Sequence, residues 1–175
     1  MSLNILITGA SGFLGLELCK ILSTSSHKVT ALDIRAPHKK YKNIIYEEGS
    51  IDKYLKNNKV NINKFNLIIH AASILPFKSS KEALVATNVN TTLNLVKHVS
   101  KLKNTFFVYI SSSGVYGDPY EVPITQNTKF NPLDLYARTK IISEENIKKY
   151  LNKNSFAIIR PRTILGKNRK GIFEI

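Results

Sequence analysis

Thr8-Gly9-Ala10-Ser11-Gly12-Phe13-Leu14-Gly15 is the stretch whose reading decides the fold. The apolar run Ile5-Leu6-Ile7 leads into it, and Phe13, Leu14, Leu18, Ile21 and Leu22 lead out at helical spacing. The pattern predicts strand, tight turn, helix. Glycines let the backbone turn sharply and let a bulky anion reach the main chain with no Cβ between them. The first amides of the helix have no intrahelical partner, and the helix dipole sets positive charge beside them. Such an end suits a pyrophosphate. The spacing is Gly-x-x-Gly-x-x-Gly rather than Gly-x-Gly-x-x-Gly, and a turn of this kind by itself also serves as a plain strand-to-helix connection.

Outward from the turn, apolar runs alternate with helical patterns. Lys28–Asp33 reads as a second strand ending on an acid, 44–47 as a short third, 51–57 as a weak helix and 66–70 as a fourth strand. Leu84, Val85, Val89, Leu93, Val96 and Val99 give 81–101 the spacing of a helix. Residues 106–111 read as strand five, 133–151 as another helix and Phe156–Ile159 as strand six. Strands that are apolar almost throughout, alternating with helices, predict an α/β fold of three layers, a parallel sheet between helices. Right-handed crossovers and an anion turn after the first strand make it a doubly wound, Rossmann-type dinucleotide fold.

The chain has 175 residues, 43% of them hydrophobic, enough for a sizeable core. Lys and Arg number 26 against 12 acids, a formal charge of +14, which makes nucleic acid a rival partner. The basic residues are scattered, with no block of five or six, and so describe a solvated surface or a field that attracts anionic ligands. On that ground the reading is no nucleic acid. Cys19 is the only cysteine, which rules out an internal disulfide and fits a buried small residue in a reducing, cytoplasmic setting. No apolar run approaches a membrane span. His27, His38, His70 and His98 lack metal-ligand spacing, and His70 is expected to close strand four by hydrogen bonding. The long loop 117–131 holds Pro119 and Pro123, and loops of that length are often functional. We expect 1–165 to form the dinucleotide domain and 166–175 to begin a substrate region of a longer protein.

Three places carry chemistry. Asp33 ends strand two, where an acid can accept both hydroxyls of an adenosine ribose and repel a 2′-phosphate, favouring NAD. Arg35, two positions on, could reach a phosphate and keeps NADP open, and a turn aspartate is the other reading of Asp33. Tyr136 and Lys140 are four apart, on one helix face, and among eight tyrosines only Tyr136 has this partner. A lysine ammonium favours the phenolate, so the pair could exchange a proton with a substrate hydroxyl, although a surface tyrosine lying along a lysine stem has the same spacing. Asn131 is expected to cap that helix, with Pro132 in its first turn. Ser111, Ser112 and Ser113 end strand five, where its carboxyl end faces the cofactor crevice. Lys167, Arg169 and Lys170 form a basic cluster that could meet a substrate phosphate but reads first as a solvated run.

Together the motifs resemble the extended short-chain dehydrogenase/reductase family, in particular its nucleotide-sugar epimerases and dehydratases. The resemblance covers nearly the whole chain: TGASGFLG, Ile-Ile-His-Ala-Ala-Ser from Ile68, Asn88-Val-Asn-Thr-Thr-Leu-Asn-Leu, Tyr109-Ile-Ser-Ser-Ser-Gly-Val-Tyr-Gly, Tyr136-Ala-Arg-Thr-Lys and Ile159-Arg-Pro-Arg-Thr-Ile-Leu-Gly, in order. It implies Tyr136 as catalytic acid/base, Lys140 as its partner and Ser112 as the hydroxyl donor. It implies NAD held by Gly9, Gly12, Phe13, Leu14 and Gly15, with Asp33 at the ribose, Ser50 and Ile51 at adenine and Ala71 and Ala72 lining the cofactor. Asn88 would support that side of the site, and Arg162 would pass the nicotinamide. It also implies a nucleotide-sugar substrate and a homodimer through the helices bearing Asn88 and Tyr136. Ser50 stands where relatives often carry Asp, and Thr91 where a glycine is usual. Ser113-Gly114 replaces the Asp-Glu pair of the dehydratases, which points away from dehydration. The expected activity is an NAD-dependent epimerase working through a transient keto-sugar. A net oxidoreductase of the same fold and a non-catalytic dinucleotide- or nucleic-acid-binding module are the alternatives.

Overall fold

Each apolar run becomes a strand: β1 (Asn4–Thr8), β2 (Lys28–Asp33), β3 (Ile44–Glu48), β4 (Leu67–His70), β5 (Phe106–Ile110) and β6 (Phe156–Ile159). The computed structural model describes residues 2–56 and 61–166. The six strands pair in parallel in the order β3-β2-β1-β4-β5-β6. The order reverses between β1 and β4, where Thr8 lies opposite His70. In open sheets of this kind ligands bind beyond the carboxyl ends of the strands at that reversal.

Successive side chains of a strand point to opposite faces, and the sheet divides its apolar residues accordingly. Leu6, Ile68, Phe107 and Tyr109 pack on one face with Leu95, Val96, Val99 and Ile147 of the helices. Ile5, Ile7, Val29 and Ala31 pack on the other with Cys19. The helices are α1 (Phe13–Leu22), α2 (Ile51–Lys56), α3 (Lys81–Leu84), α4 (Thr92–Val99) and α5 (Leu135–Tyr150). The three-layer reading therefore holds. Among the described residues no helix is long and apolar enough to cross a membrane.

Several boundaries differ from the sequence reading. The helix expected across 81–101 runs as α3, a π-helical segment Val85–Thr91 and α4, ending at Val99. The helix expected from 133 begins at Leu135, because Asp134 caps it: its carboxylate accepts from Ala137 N at 2.7 Å. Asn131 is not the cap; its side chain donates to Asp118 O at 2.8 Å and fastens the loop. Pro132 consequently lies outside the helix. β3 gains Glu48, β4 starts at Leu67 and β5 stops at Ile110. Position 57 and the cluster Lys167, Arg169, Lys170 lie outside the described residues.

The glycine turn is set by space as much as by torsion. Gly9 has φ +71°, and a Cβ there would lie 2.6 Å from Cα and N of Ala72. A Cβ on Gly15 would overlap the carbonyl oxygen of Gly9 and stand 2.6 Å from Ala10 Cα. The first contact brings β1 against the exit of β4, and the second brings α1 against the turn. Gly15→Ala should therefore destabilise the chain by about 1–3 kcal/mol, the usual range for overpacking, read as a lower denaturant midpoint. An unchanged midpoint would mean that α1 moves away without loss.

Candidate functional site

Beyond the reversal point lies a cleft of about 210 Å³. Gly9 and Gly12 from the turn, Asp33 from β2, Ser50 and Ile51 at the start of α2, and Ala71 and Ala72 after β4 all line it. With Thr87 and Thr91 of the π segment, five separate segments of sequence thus converge on one space. The N-cap of α1 is Gly12, which has no side chain to cap with, and no acid lies in the first turn. An anion can approach that end directly.

The cleft residues differ in what they have left to offer. Asp33 accepts from Ser11 N and from Arg35 N, both at 3.0 Å, so its carboxylate shapes the β2 exit as well as facing the cleft. The Ser50 hydroxyl accepts from Lys53 N at 3.1 Å and caps α2. Phe13 and Leu14 are half-buried in the first turn of α1, and Gly15 is buried; none of the three lines the cleft. Arg162 is exposed and also lies off the lining.

Asn88 acts through other residues. Its Oδ1 accepts from Ile74 N at 2.9 Å and Ser73 Oγ at 3.1 Å, while its Nδ2 donates to Ile74 O at 3.1 Å and Thr139 Oγ1 at 3.3 Å. The amide so holds the chain after β4 against α5. The carbonyl of Asn88 accepts from Thr92 Oγ1 at 2.8 Å and from Ser143 Oγ at 2.7 Å. Thr91, in the place of a usual glycine, fits without crowding: its hydroxyl donates to Asp52 at 2.9 Å and links the π segment to α2.

The first turns of α5 carry the candidate acid–base pair. Tyr136 is half-buried, and the Lys140 Nζ lies 5.6 Å from the centre of its ring. Lys140 is only 2% exposed. Its Nζ donates to Ile110 O at 2.9 Å and lies 4.9 Å from the Tyr109 ring centre. Burial pushes this amine down to about 7, opposed by the Glu144 carboxylate. Ser112 caps the short turn Ser113–Tyr116, its oxygen accepting from Gly114 N at 3.1 Å, and the hydroxyl keeps a proton to donate. A Cβ on Gly114 would stand 3.3 Å from Ser112 Oγ and 3.7 Å from Ala137 Cβ, which places the serine hydroxyl beside the start of α5.

Behind these groups lies a polar interior that the sequence reading did not assign. Glu144 has no exposed surface and forms a two-point ion pair with Arg160, at 2.9 and 2.6 Å, while accepting from Ser111 Oγ at 2.6 Å. The sequence holds only weak traces of it, an acid one helical turn after Lys140 and an arginine at the exit of an apolar strand, with nothing to join them. His70 is held between Thr8 Oγ1 on Nδ1, at 2.6 Å, and Thr92 Oγ1 on Nε2, at 2.9 Å. Because the Thr92 hydroxyl already donates to Asn88 O, Nε2 must donate to Thr92 and Nδ1 must accept from Thr8. Burial, then the Lys140 charge, lowers His70 to about 3 and keeps it neutral.

A six-stranded parallel sheet with a glycine turn at its reversal, and a tyrosine–lysine helix beside it, defines a dinucleotide-binding α/β protein. Within that class the chain belongs to the NAD dependent epimerase/dehydratase family, whose profile matches residues 5–173. It is 31% identical over 97% of its length to an uncharacterized protein, y4nG, of Sinorhizobium fredii, covering 43% of that protein. It is 29% identical over 94% of its length to a putative UDP-glucose 4-epimerase of Methanocaldococcus jannaschii, covering 57%. The UDP-glucuronic acid 4-epimerase of Bacillus cereus, solved with NAD, superposes with a TM-score of 0.81 at 25% identity, over 95% of this chain and 58% of that one. The chain spans about half the length of the curated relatives it matches. The residues present fit the family's cofactor, since the turn packs main chain against main chain at Gly9 and leaves the α1 end uncapped.

The Lys140 environment has a measurable consequence. Between about pH 7 and pH 10 the unfolded chain holds a proton on this lysine that the folded chain has released, so unfolding free energy contributed by Lys140 rises with pH across that window. The stability difference between wild type and Lys140→Met should grow by up to about 1.4 kcal/mol per pH unit there. Denaturation series at matched pH values measure it; a constant difference would mean that the buried amine titrates normally.

Proposed function

We propose that this chain is the cofactor-binding part of an NAD-dependent epimerase acting on a nucleotide-activated sugar through a transient keto intermediate. The observation that carries the reading is the Tyr136–Lys140 pair on α5, a helix that Thr139 ties through Asn88 to Ile74 in the wall of the cleft, although Ser112, Tyr136 and Lys140 themselves lie off its lining. The UDP-sugar epimerases among its relatives support the substrate class. In this reading 1–165 form the cofactor domain and 166–175 lead toward a substrate region.

NAD held over Gly9 and Gly12 would supply a reversible hydride acceptor for the sugar carbon. The chain's own residues do the rest. Gly9 and Gly12 leave the main chain open to the diphosphate, and the α1 dipole faces it. Asp33 meets the adenosine ribose, with Ser50 contributing main chain because its hydroxyl caps α2. Tyr136 takes the proton of the sugar hydroxyl as the carbonyl forms and gives it back as the alcohol reforms. The Ser112 hydroxyl donates to the same sugar oxygen, and Lys140 favours the phenolate by its charge. A homodimer through the helices bearing Asn88 and Tyr136 belongs to the same proposal, supported by exposed Val85 on the π segment and exposed Ile142 on α5.

Tyr136→Phe should lower turnover of the whole protein by about 10²–10⁴-fold, the usual worth of a general acid–base group, while NAD titration by calorimetry gives the wild-type affinity. Undiminished turnover would remove Tyr136 from the mechanism. During conversion of a UDP-sugar the absorbance of reduced nicotinamide should stay flat. A steady rise or fall with substrate consumed would instead identify a net oxidoreductase.

A further inference from the structure

Glu144 is a charged side chain with no exposed surface, and the acid–base scheme leaves it without a task. Its Oε1 accepts from Ser111 Oγ and Arg160 Nε, and its Oε2 from Arg160 Nη2. Arg160 Nη1 donates to the Tyr116 hydroxyl at 2.6 Å, and the guanidinium lies 5.4 Å from the Tyr116 ring centre and 4.9 Å from that of Phe130. Next to Arg160, Pro161 O accepts from Ser113 N at 2.9 Å. One carboxylate thus joins the exits of β5 and β6, helix α5 and the loop that follows β5. A buried ion pair adds little stability, because stripping water from both charges offsets most of their attraction. Its presence asks for another reason.

That reason lies one helical turn back. Glu144 follows Lys140 by four residues, on the same face of α5. The titratable groups facing Lys140 are Tyr136 and Glu144 on α5, Tyr109 on β5 and His70 on β4. His70 is neutral, and burial drives the Tyr109 phenol upward, away from ionising. Arg160 is bound to Glu144, and Lys148 approaches its Oε2 at 4.0 Å from a half-exposed position. Glu144 is therefore the one carboxylate of the set. We propose that Glu144 is the positioning residue of this site: through Ser111 and Arg160 it fixes the segment that carries Ser112, and its charge lets Lys140 hold a proton beside Tyr136. The catalytic meaning rests on the Tyr136–Lys140 reading above, but the charge coupling is measurable without turnover.

The test uses the chain labelled with ¹⁵N at lysine Nζ, the Lys140 signal being assigned by its loss in Lys140→Met. Glu144→Gln keeps the shape and removes the charge; the Lys140 titration midpoint should fall by about one pH unit or more. Ser111→Ala removes a hydrogen bond and no charge, and should leave the midpoint where it is in the wild type. If Glu144→Gln strands Arg160 and does not fold, Glu144→Gln/Arg160→Gln removes the pair together; the midpoint should still fall, by less, because a cation leaves with the carboxylate. An unmoved midpoint in either charge-removing variant overturns the proposal. An equal fall in Ser111→Ala overturns it too, and so does failure of both charge-removing variants to fold, which would make Glu144 a prop of the fold alone. Full turnover in Tyr136→Phe would overturn the proposed function and leave this titration untouched.

Discussion

There is no room for a methyl group between Gly9 and Ala72, and the rest of the structure depends on that contact. It brings the end of β1 against the chain leaving β4, at the place where the strand order reverses. From there the two halves of the sheet diverge, one toward β2 and β3, the other toward β5 and β6. The cleft is the space this divergence opens. Main chain forms its floor because side chains would not fit, and a main-chain floor is what a diphosphate needs.

The interior between β4, β5 and α5 is governed by a different constraint, the burial of charge. Lys140, Glu144 and His70 are all enclosed, and each is answered by specific partners rather than by water. Enclosure lowers the amine and keeps the imidazole neutral, so the interior behind Tyr136 contains one carboxylate, one guanidinium and one lysine poised near neutrality. Membership of an NAD-dependent family gives the arrangement its context. Packing alone would have been served better by apolar residues, as buried ion pairs commonly are.

Much of this was readable from the chain because it follows from local rules. The glycine turn, the six strands and the tyrosine–lysine spacing depend on period and on residues close in sequence. What escaped depends on residues far apart. Arg160 and Glu144 are 16 positions apart, and in a chain with 26 basic residues neither stands out before the fold joins them. Asn131 and Asp134 are both competent caps, and only the loop's claim on Asn131 through Asp118 decides between them. Asp33 was read as a ribose ligand, and its two bonds to main-chain amides are set by the turn, which sequence spacing does not reveal. The π segment left no trace in the apolar pattern, because Val85, Val89, Leu93, Val96 and Val99 keep ordinary spacings of three and four across it.

The residue that a π turn adds has an outcome out of proportion to its size. In the widened turn at 85–91 the carbonyl of Asn88 accepts hydroxyls from Thr92 and Ser143. That carbonyl thereby becomes a strut between two neighbouring rods. Thr87 and Thr91 face the cleft from the same widened turn. Removing one residue there would swing everything upstream by about 100° about the axis, dismantling the wall and the strut in one step. An irregularity of one residue thus acts as a shared keystone for the two ends of the molecule.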